Sequence, residues 1–241
     1  MQKSNTWWSG LRDRLVGQIS GKKDRIEADS LSAATNGSPK ALVLVEGPND
    51  IQFLRRISAI LHADDPAIPD LAYMERRREL IFVPFGGGDL RLWTFRLAGL
   101  ACAEFHLYDR DMPPHTESRQ EAVDIVNLRP KCHAVLTRKR HLENYLHPQA
   151  VCEASGINAD FSDEEYVADI LARHNYDRCP DHIPWSALPA RTRKRRRDKV
   201  KRWLNTDAVE RMTPALLADR DPDGEVRSWL AMIAELASET A

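Results

Sequence analysis

Short, continuous apolar runs alternate along this chain with longer stretches in which apolar residues recur every three or four positions. The first run, ALVLVEG at 41–47, places five apolar residues in succession before a glycine turn, the pattern of a strand buried on both faces. PNDIQFLRRISAILH follows, with Ile51, Phe53, Leu54, Ile57, Ile60 and Leu61 on one helical stripe. LIFVPF then predicts a second strand, GGGD a turn and LRLWTFRLAGL a helix. AEFHLYDRD predicts a third strand that ends in charge, ESRQEAVDIVNL a helix, and CHAVLTRKR a fourth strand leading into the short helical segment HLENYLHP. This βαβαβαβ alternation predicts an α/β fold: a parallel sheet of about four strands flanked by helices. From about Gln149 the segments EEYVADILARH, KVKRWLN and EVRSWLAMIAELA read as helices joined by loops, without internal repeats.

The pattern divides the chain into three parts. Residues 1–39 begin with Trp8, Leu11, Leu15 and Ile19 at helical spacing and then lose their periodicity, so they read as an amphipathic helix and a linker. Its tryptophans, Trp7 and Trp8, would dock on a partner or on the body of the domain. Residues 40–148 read as the catalytic core, and 149–241 as a helical C-terminal extension with a basic segment. A length of 241 residues and an apolar fraction of 42% suit one medium domain with appendages. No run approaches the ~20 apolar residues that span a bilayer, and the N-terminus lacks a basic start followed by a long apolar run; a cytoplasmic protein without membrane contact is expected. The four cysteines include no CxxC pair and read as reduced and structural. His174, Cys179 and His182 match no standard zinc spacing.

A net charge of −1 gives the whole molecule no pull toward nucleic acid, so distribution matters more than the sum. Residues 191–202 carry nine basic side chains against Asp198 alone, and Arg76–Arg78 and Arg138–Arg140 form two smaller clusters. Arg138, Arg140, Arg193, Lys194, Arg195, Arg196 and Arg197 are the candidate phosphate contacts; a solvated charged face is the competing reading. Val200, Trp203 and Leu204 interleave with the basic run and predict that its latter half is an ordered helix.

Acidic residues occur at or just beyond the carboxyl ends of predicted strands, the edge at which open α/β sheets build their sites. Glu46 ends the first strand and Asp50 lies one turn on. Asp109 and Asp111 end the third, on one face because strand period is two. Glu143 begins the segment after the fourth. Each alone is an ordinary loop acid; together they would repel one another unless a cation neutralised them. Magnesium, or manganese, is the hard ion suited to such oxygens, and this many carboxylates allows two ions ~3.5–4 Å apart, clamping the attacking and leaving oxygens of a phosphodiester.

VEGPND (45–50), FVPFGGGD (82–89) and YDRD (108–111) together resemble the TOPRIM domain, the catalytic fold of topoisomerases, bacterial primases and several nucleases. TRKRHLENYL (137–146) resembles the version found in the OLD (overcoming lysogenization defect) nuclease family. The resemblance covers residues 41–148 and, more loosely, the helical C-terminal part. It implies that Glu46 is a metal ligand or general acid/base, that Asp109 and Asp111 are metal ligands, and that Asp50 and Glu143 complete a second metal site. It further implies a catalytic lysine that stabilises developing charge, for which Lys199 and Lys201 both qualify. OLD proteins carry an ATPase domain ahead of the TOPRIM domain; here about 40 residues stand there, and no GxxxxGK[ST] phosphate loop occurs. Any ATPase would therefore be a separate protein. The expected function is a divalent-metal-dependent endonuclease acting on DNA, or on RNA such as tRNA, as an antiphage-defence effector. The rivals are a regulated subunit held inactive by a separate ATPase and a non-catalytic nucleic-acid-binding module. Lack of a tyrosine-nucleophile domain disfavours a topoisomerase, and lack of a zinc module or polymerase scaffold disfavours a primase. Homo-oligomerisation is left open.

Overall fold

The computed structural model describes residues 39–178 and 183–238. The expectations for the Trp7–Trp8 helix, and for Cys179 and His182, lie outside the described residues. Within them, four parallel strands form one sheet: β1 (Ala41–Val45), β2 (Leu80–Pro84), β3 (Ala103–Tyr108) and β4 (Cys132–Leu136), in the spatial order β2-β1-β3-β4. The two central strands are buried at every residue, β1 as a wholly apolar run and β3 with Glu104 and His106 among its buried side chains. The edge strands mix buried with exposed positions, as one unpaired side requires.

Helices α1 (Pro48–Asp64) and α2 (Leu71–Arg76) connect β1 to β2, and α3 (His115–Asn127) connects β3 to β4. Pro48 starts α1, where its missing N–H is no loss, and the buried stripe Phe53, Leu54, Ile57 and Leu61 holds that helix to the sheet. The remaining helices are α4 (Pro148–Ser155), α5 (Val167–Asp177), α6 (Ala190–Trp203), α7 (Pro214–Arg220) and α8 (Glu225–Ser238). One apolar core runs from Ala41 of β1 through Phe105 of β3 and Leu171 of α5 to Ile233 of α8. A smaller core on the other face of β3 joins Tyr108 to Val123 and Val126 of α3 and to Phe85 and Leu90 of the β2–β3 connection. The expected four-stranded parallel sheet with helices on its faces is the architecture found. No helix of the described residues is long and apolar enough to cross a membrane.

Three local expectations are corrected. LRLWTFRLAGL is no helix: it holds two single 3-10 turns, Leu90–Leu92 and Ala98–Leu100, with Leu92, Phe95 and Leu100 exposed. Its apolar spacing found no second layer to pack against, and Arg129 pins the segment by bonding the Thr94 carbonyl. The third strand stops at Tyr108, so strand period does not align the two aspartates beyond it; Asp111 has a left-handed backbone, φ 57°, which aspartate tolerates better than most residues. The basic run is helical along its whole length as α6, not in its latter half alone.

Candidate active site

Strand order fixes where a site can form. From β1 the chain turns to β2 on one side, and from β3 to β4 on the other, so the crevice between the carboxyl ends of β1 and β3 is the topological switch point. Glu46 follows β1 directly and Asp109 follows β3 directly. Asp50 enters the same space from the first turn of α1, where its Oδ2 also accepts the Gly47 N–H at 2.7 Å. Glu143 arrives on the 3-10 turn Leu142–Tyr145, and Lys201 on the last turn of α6.

The carboxylates fall into two groups. Asp50, Asp109 and Glu143 are buried, with 6%, 5% and 1% of their surfaces exposed. Asp109 Oδ1 accepts the Leu142 N–H at 3.2 Å. Glu143 Oε1 accepts from the Asn205 amide at 2.7 Å and lies 3.6 Å from Lys201 Nζ. Burial pushes Asp109 up to about 8, with the charges of Glu46 and Glu143 adding to it and Lys201 opposing. Asp50 is raised well above the usual carboxylate range by burial and by Asp109. Lys201 has the reverse balance. Burial disfavours its charge, but Glu143, Asp109 and Asp50 outweigh that and hold it protonated beyond the ordinary lysine range.

The second group, Glu46 and Asp111, is half-exposed and already partnered. One guanidinium, Arg119, lies 3.6 Å from Glu46 Oε2 and 3.2 Å from Asp111 Oδ2, and donates to the Asp109 carbonyl at 2.8 Å. Two residues sharing one guanidinium are necessarily close. Asp111 also faces His141 Nε2 at 3.4 Å and Arg140 Nε at 3.9 Å. The His141 hydrogen bond, aided by Arg119 and Arg140, holds Asp111 down to about 2.

With all five ionised, the carboxylates would outnumber Arg119, Arg140 and Lys201 by two negative charges; without a cation Asp50 and Asp109 favour their protonated forms instead, which is what their raised pKa values express. Two like charges ~4 Å apart repel by about 4 kcal/mol at an effective dielectric of ~20, so the excess needs a counter-charge. A divalent ion supplies it, and the donor type, carboxylate oxygen, is the one magnesium or manganese takes. Among the described residues no group of three or more His, Cys, Asp or Glu side chains is arranged to hold a metal ion; magnesium retains several waters and binds through one or two carboxylates at a time, so pairs of these acids are the candidates.

All five sequence-expected acids converge here, together with Lys201. Lys199 does not: it lies roughly 200° around α6 from Lys201 and is exposed. The basic residues divide likewise. Arg197 bonds Asp169 at 3.1 Å and stacks on Tyr166, as Arg140 does, and Arg196 stacks on Tyr176. Arg138 pairs with Asp223 on the surface. Lys194 and Arg195 are exposed, while Arg193 is half-exposed. Sequence reading missed Arg119, His141 and Asn205. His141 stood in view within RHLENYL, whereas Arg119 and Asn205 are ordinary helix residues in the sequence and gain meaning only from what they touch.

No family model matches the chain, and no curated protein does. Among solved structures it is similar to the C-terminal region of the OLD protein of Xanthomonas campestris pv. campestris in two determinations. The platinum-phased structure is 11% identical, covers 83% of this chain and 94% of its own, and gives a TM-score of 0.46. The iodine-phased structure is 13% identical, covers 84% and 86%, and gives 0.33.

Proposed function

We propose that this chain is a divalent-metal-dependent nuclease that hydrolyses phosphodiester bonds of nucleic acid at the crevice between β1 and β3. The observation that carries the reading is the convergence of five carboxylates from separate segments at a topological switch point, where burial and mutual repulsion raise the pKa values of Asp50 and Asp109. Asp109, with Asp50 or Glu143, would hold one magnesium or manganese ion, and Glu46 with Asp111 would help hold a second. When bound, such ions activate water and stabilise the leaving oxygen.

The chain's own groups do the rest. Lys201, buried and held protonated, sits where it can stabilise charge developing on a phosphoryl oxygen, which makes it a better candidate than the exposed Lys199. Glu46, at the rim, has access to solvent and can carry a proton between water and the reacting oxygen. Arg119 and Arg140 orient Asp111. The exposed basic residues of α6, Lys194, Arg195 and Lys199 among them, give the helix a solvent-facing basic surface that suits a phosphate backbone; Arg195 and Lys199 lie on faces other than the one that carries Lys201 to the site. A role in antiphage defence, and control by a separate ATPase, rest on the resemblance in residues 45–50, 82–89, 108–111 and 137–146 alone.

The test is cleavage of supercoiled plasmid, single-stranded DNA and tRNA by the purified chain in Mg²⁺ or Mn²⁺. Glu46→Ala and Asp109→Ala should abolish cleavage while both variants still fold. Equal cleavage by wild type and both variants would expose a contaminant and overturn the proposal.

A further inference from the structure

Beside the acidic cluster, a cleft of about 140 Å³ opens between the loop after β2 and the first turns of α3; Gly87, Gly88, Arg91, His115, Ser118 and Arg119 line it. Small-molecule pockets start at ~300 Å³; this smaller cleft is of a size that suits one phosphate group. Gly86, Gly87 and Gly88 all have positive φ, 77°, 73° and 97°. A Cβ built on any of them meets no atom within 4 Å. None of the three makes room for a protein neighbour; Gly87 and Gly88, which line the cleft, leave bare main chain there, where a ligand can approach closely.

The wall is held in place. The Phe85 N–H bonds the Val45 carbonyl at 2.9 Å and the Gly86 N–H bonds the Glu46 carbonyl at 2.8 Å, so the loop is tied to the strand end that carries Glu46. Asp89 also borders the cleft, and its Oδ1 accepts the Arg91 N–H at 3.0 Å, capping the turn that presents Arg91. Across the cleft, Ser118 Oγ donates to the His115 carbonyl at 2.9 Å. The amino end of the 13-residue α3 adds its partial positive charge. Arg119 is the common wall, bordering the cleft while touching Glu46, Asp111 and the Asp109 carbonyl.

We propose that this cleft binds a phosphate group of the nucleic-acid strand, one guanidinium away from the carboxylates. The assignment of that phosphate to a substrate rests on the nuclease reading; the pocket itself does not. Arg91 contributes less than its charge suggests, because Glu121 shares it at 2.5 Å.

The test uses the full chain in EDTA, with inorganic phosphate and a short single-stranded oligonucleotide as separate probes. Ser118→Asp keeps α3 intact, since an acid in a first helical turn is favourable, but puts a negative charge in the cleft. Wild type should bind phosphate, and phosphate should displace the oligonucleotide. Ser118→Asp should weaken phosphate binding about ten-fold and Arg91→Ala about three-fold, at unchanged melting temperature. No phosphate binding by folded wild type, or wild-type binding by Ser118→Asp, would overturn the pocket. Phosphate binding without displacement of the oligonucleotide would overturn its assignment to the strand. A protein that cleaves nothing, yet binds phosphate in competition with oligonucleotide and loses both with Ser118→Asp, would remove the nuclease reading and sustain the pocket.

Discussion

The two ends of β3 carry buried carboxylates with opposite electrostatic outcomes. Glu104 at the amino end is 1% exposed and Asp109 beyond the carboxyl end is 5% exposed. Burial alone would raise both. Glu104 instead ends below the usual carboxylate range, because hydrogen bonds from His106 and Arg129 outweigh its burial. Arg129 reaches both its oxygens, at 2.5 and 2.9 Å, and His106 Nε2 lies 2.8 Å from Oε2. The Tyr108 hydroxyl continues the chain to His106 Nδ1 at 2.7 Å. Asp109 accepts the Leu142 N–H and is pushed up to about 8 among other acids. Equal burial therefore says little about role. A buried acid whose oxygens are fully engaged is a structural lock; one left under-compensated beside Glu46, Asp50 and Glu143 is where a cation belongs.

Breaking the lock should give the largest effect. Glu104→Ala strands Arg129 and His106 inside the protein and should cost about 3–5 kcal/mol in urea unfolding, whereas Asp109→Asn removes an acid whose raised pKa opposes folding and should leave the metal-free protein at least as stable as wild type at pH 7. Activity should reverse the order. Asp109→Asn should slow cleavage at least about a hundred-fold, ~2.7 kcal/mol in the barrier, while a folded Glu104→Gln variant stays within about three-fold of wild type. If Glu104→Gln proved the slower enzyme, the division of roles would be wrong.

Acid sharpens the comparison further. Burial lowers the His106 pKa, against the pull of Glu104, so the unfolded chain takes up that proton first. The stability His106 contributes is complete above its unfolded pKa of ~6.5 and is lost as pH falls below it. Glu104, also depressed, loses its contribution in the same direction at lower pH. His106 therefore contributes a fall in unfolding free energy below pH ~6.5 of up to about 1.4 kcal/mol per pH unit, against the opposite slope of Asp50 and Asp109, whose raised pKa values favour folding as pH falls. His106→Gln should remove that fall, so that the variant gains stability relative to wild type as pH drops from about 6.5 to 5; an unchanged difference between the two would remove His106 from the lock. The smallest effect belongs to the surface. Arg195→Gln should lower the salt dependence of nucleic-acid binding by roughly 0.7–0.9 log units per log salt, one phosphate's worth, and leave folding alone.

The sequence made the sheet readable because β1 is a continuous apolar run that only a doubly covered strand explains, and β3 alternates apolar residues with Glu104 and His106 before ending in charge. It made the acids readable because each stands just past a strand end. The β2–β3 connection misled, since Leu90, Leu92, Trp93 and Leu97 repeat at helical spacing although only Leu90 is buried; periodicity registers a stripe, not the presence of a layer to receive it. The short helix Leu71–Arg76 was hidden behind Pro66 and Pro69. The choice between Lys199 and Lys201, and the parts played by Arg119, His141 and Asn205, depend on which face of a helix meets a loop from elsewhere. No local pattern encodes that.

The most direct measurement is a calorimetric titration of the full chain with Mn²⁺, alongside Asp109→Asn and Glu104→Gln. Saturable uptake by wild type and Glu104→Gln, with binding by Asp109→Asn weakened at least about ten-fold, is the predicted result. Absence of uptake by wild type even with nucleic acid present, or equal uptake by all three proteins, would contradict the claim that the Asp109 cluster gathers divalent cations.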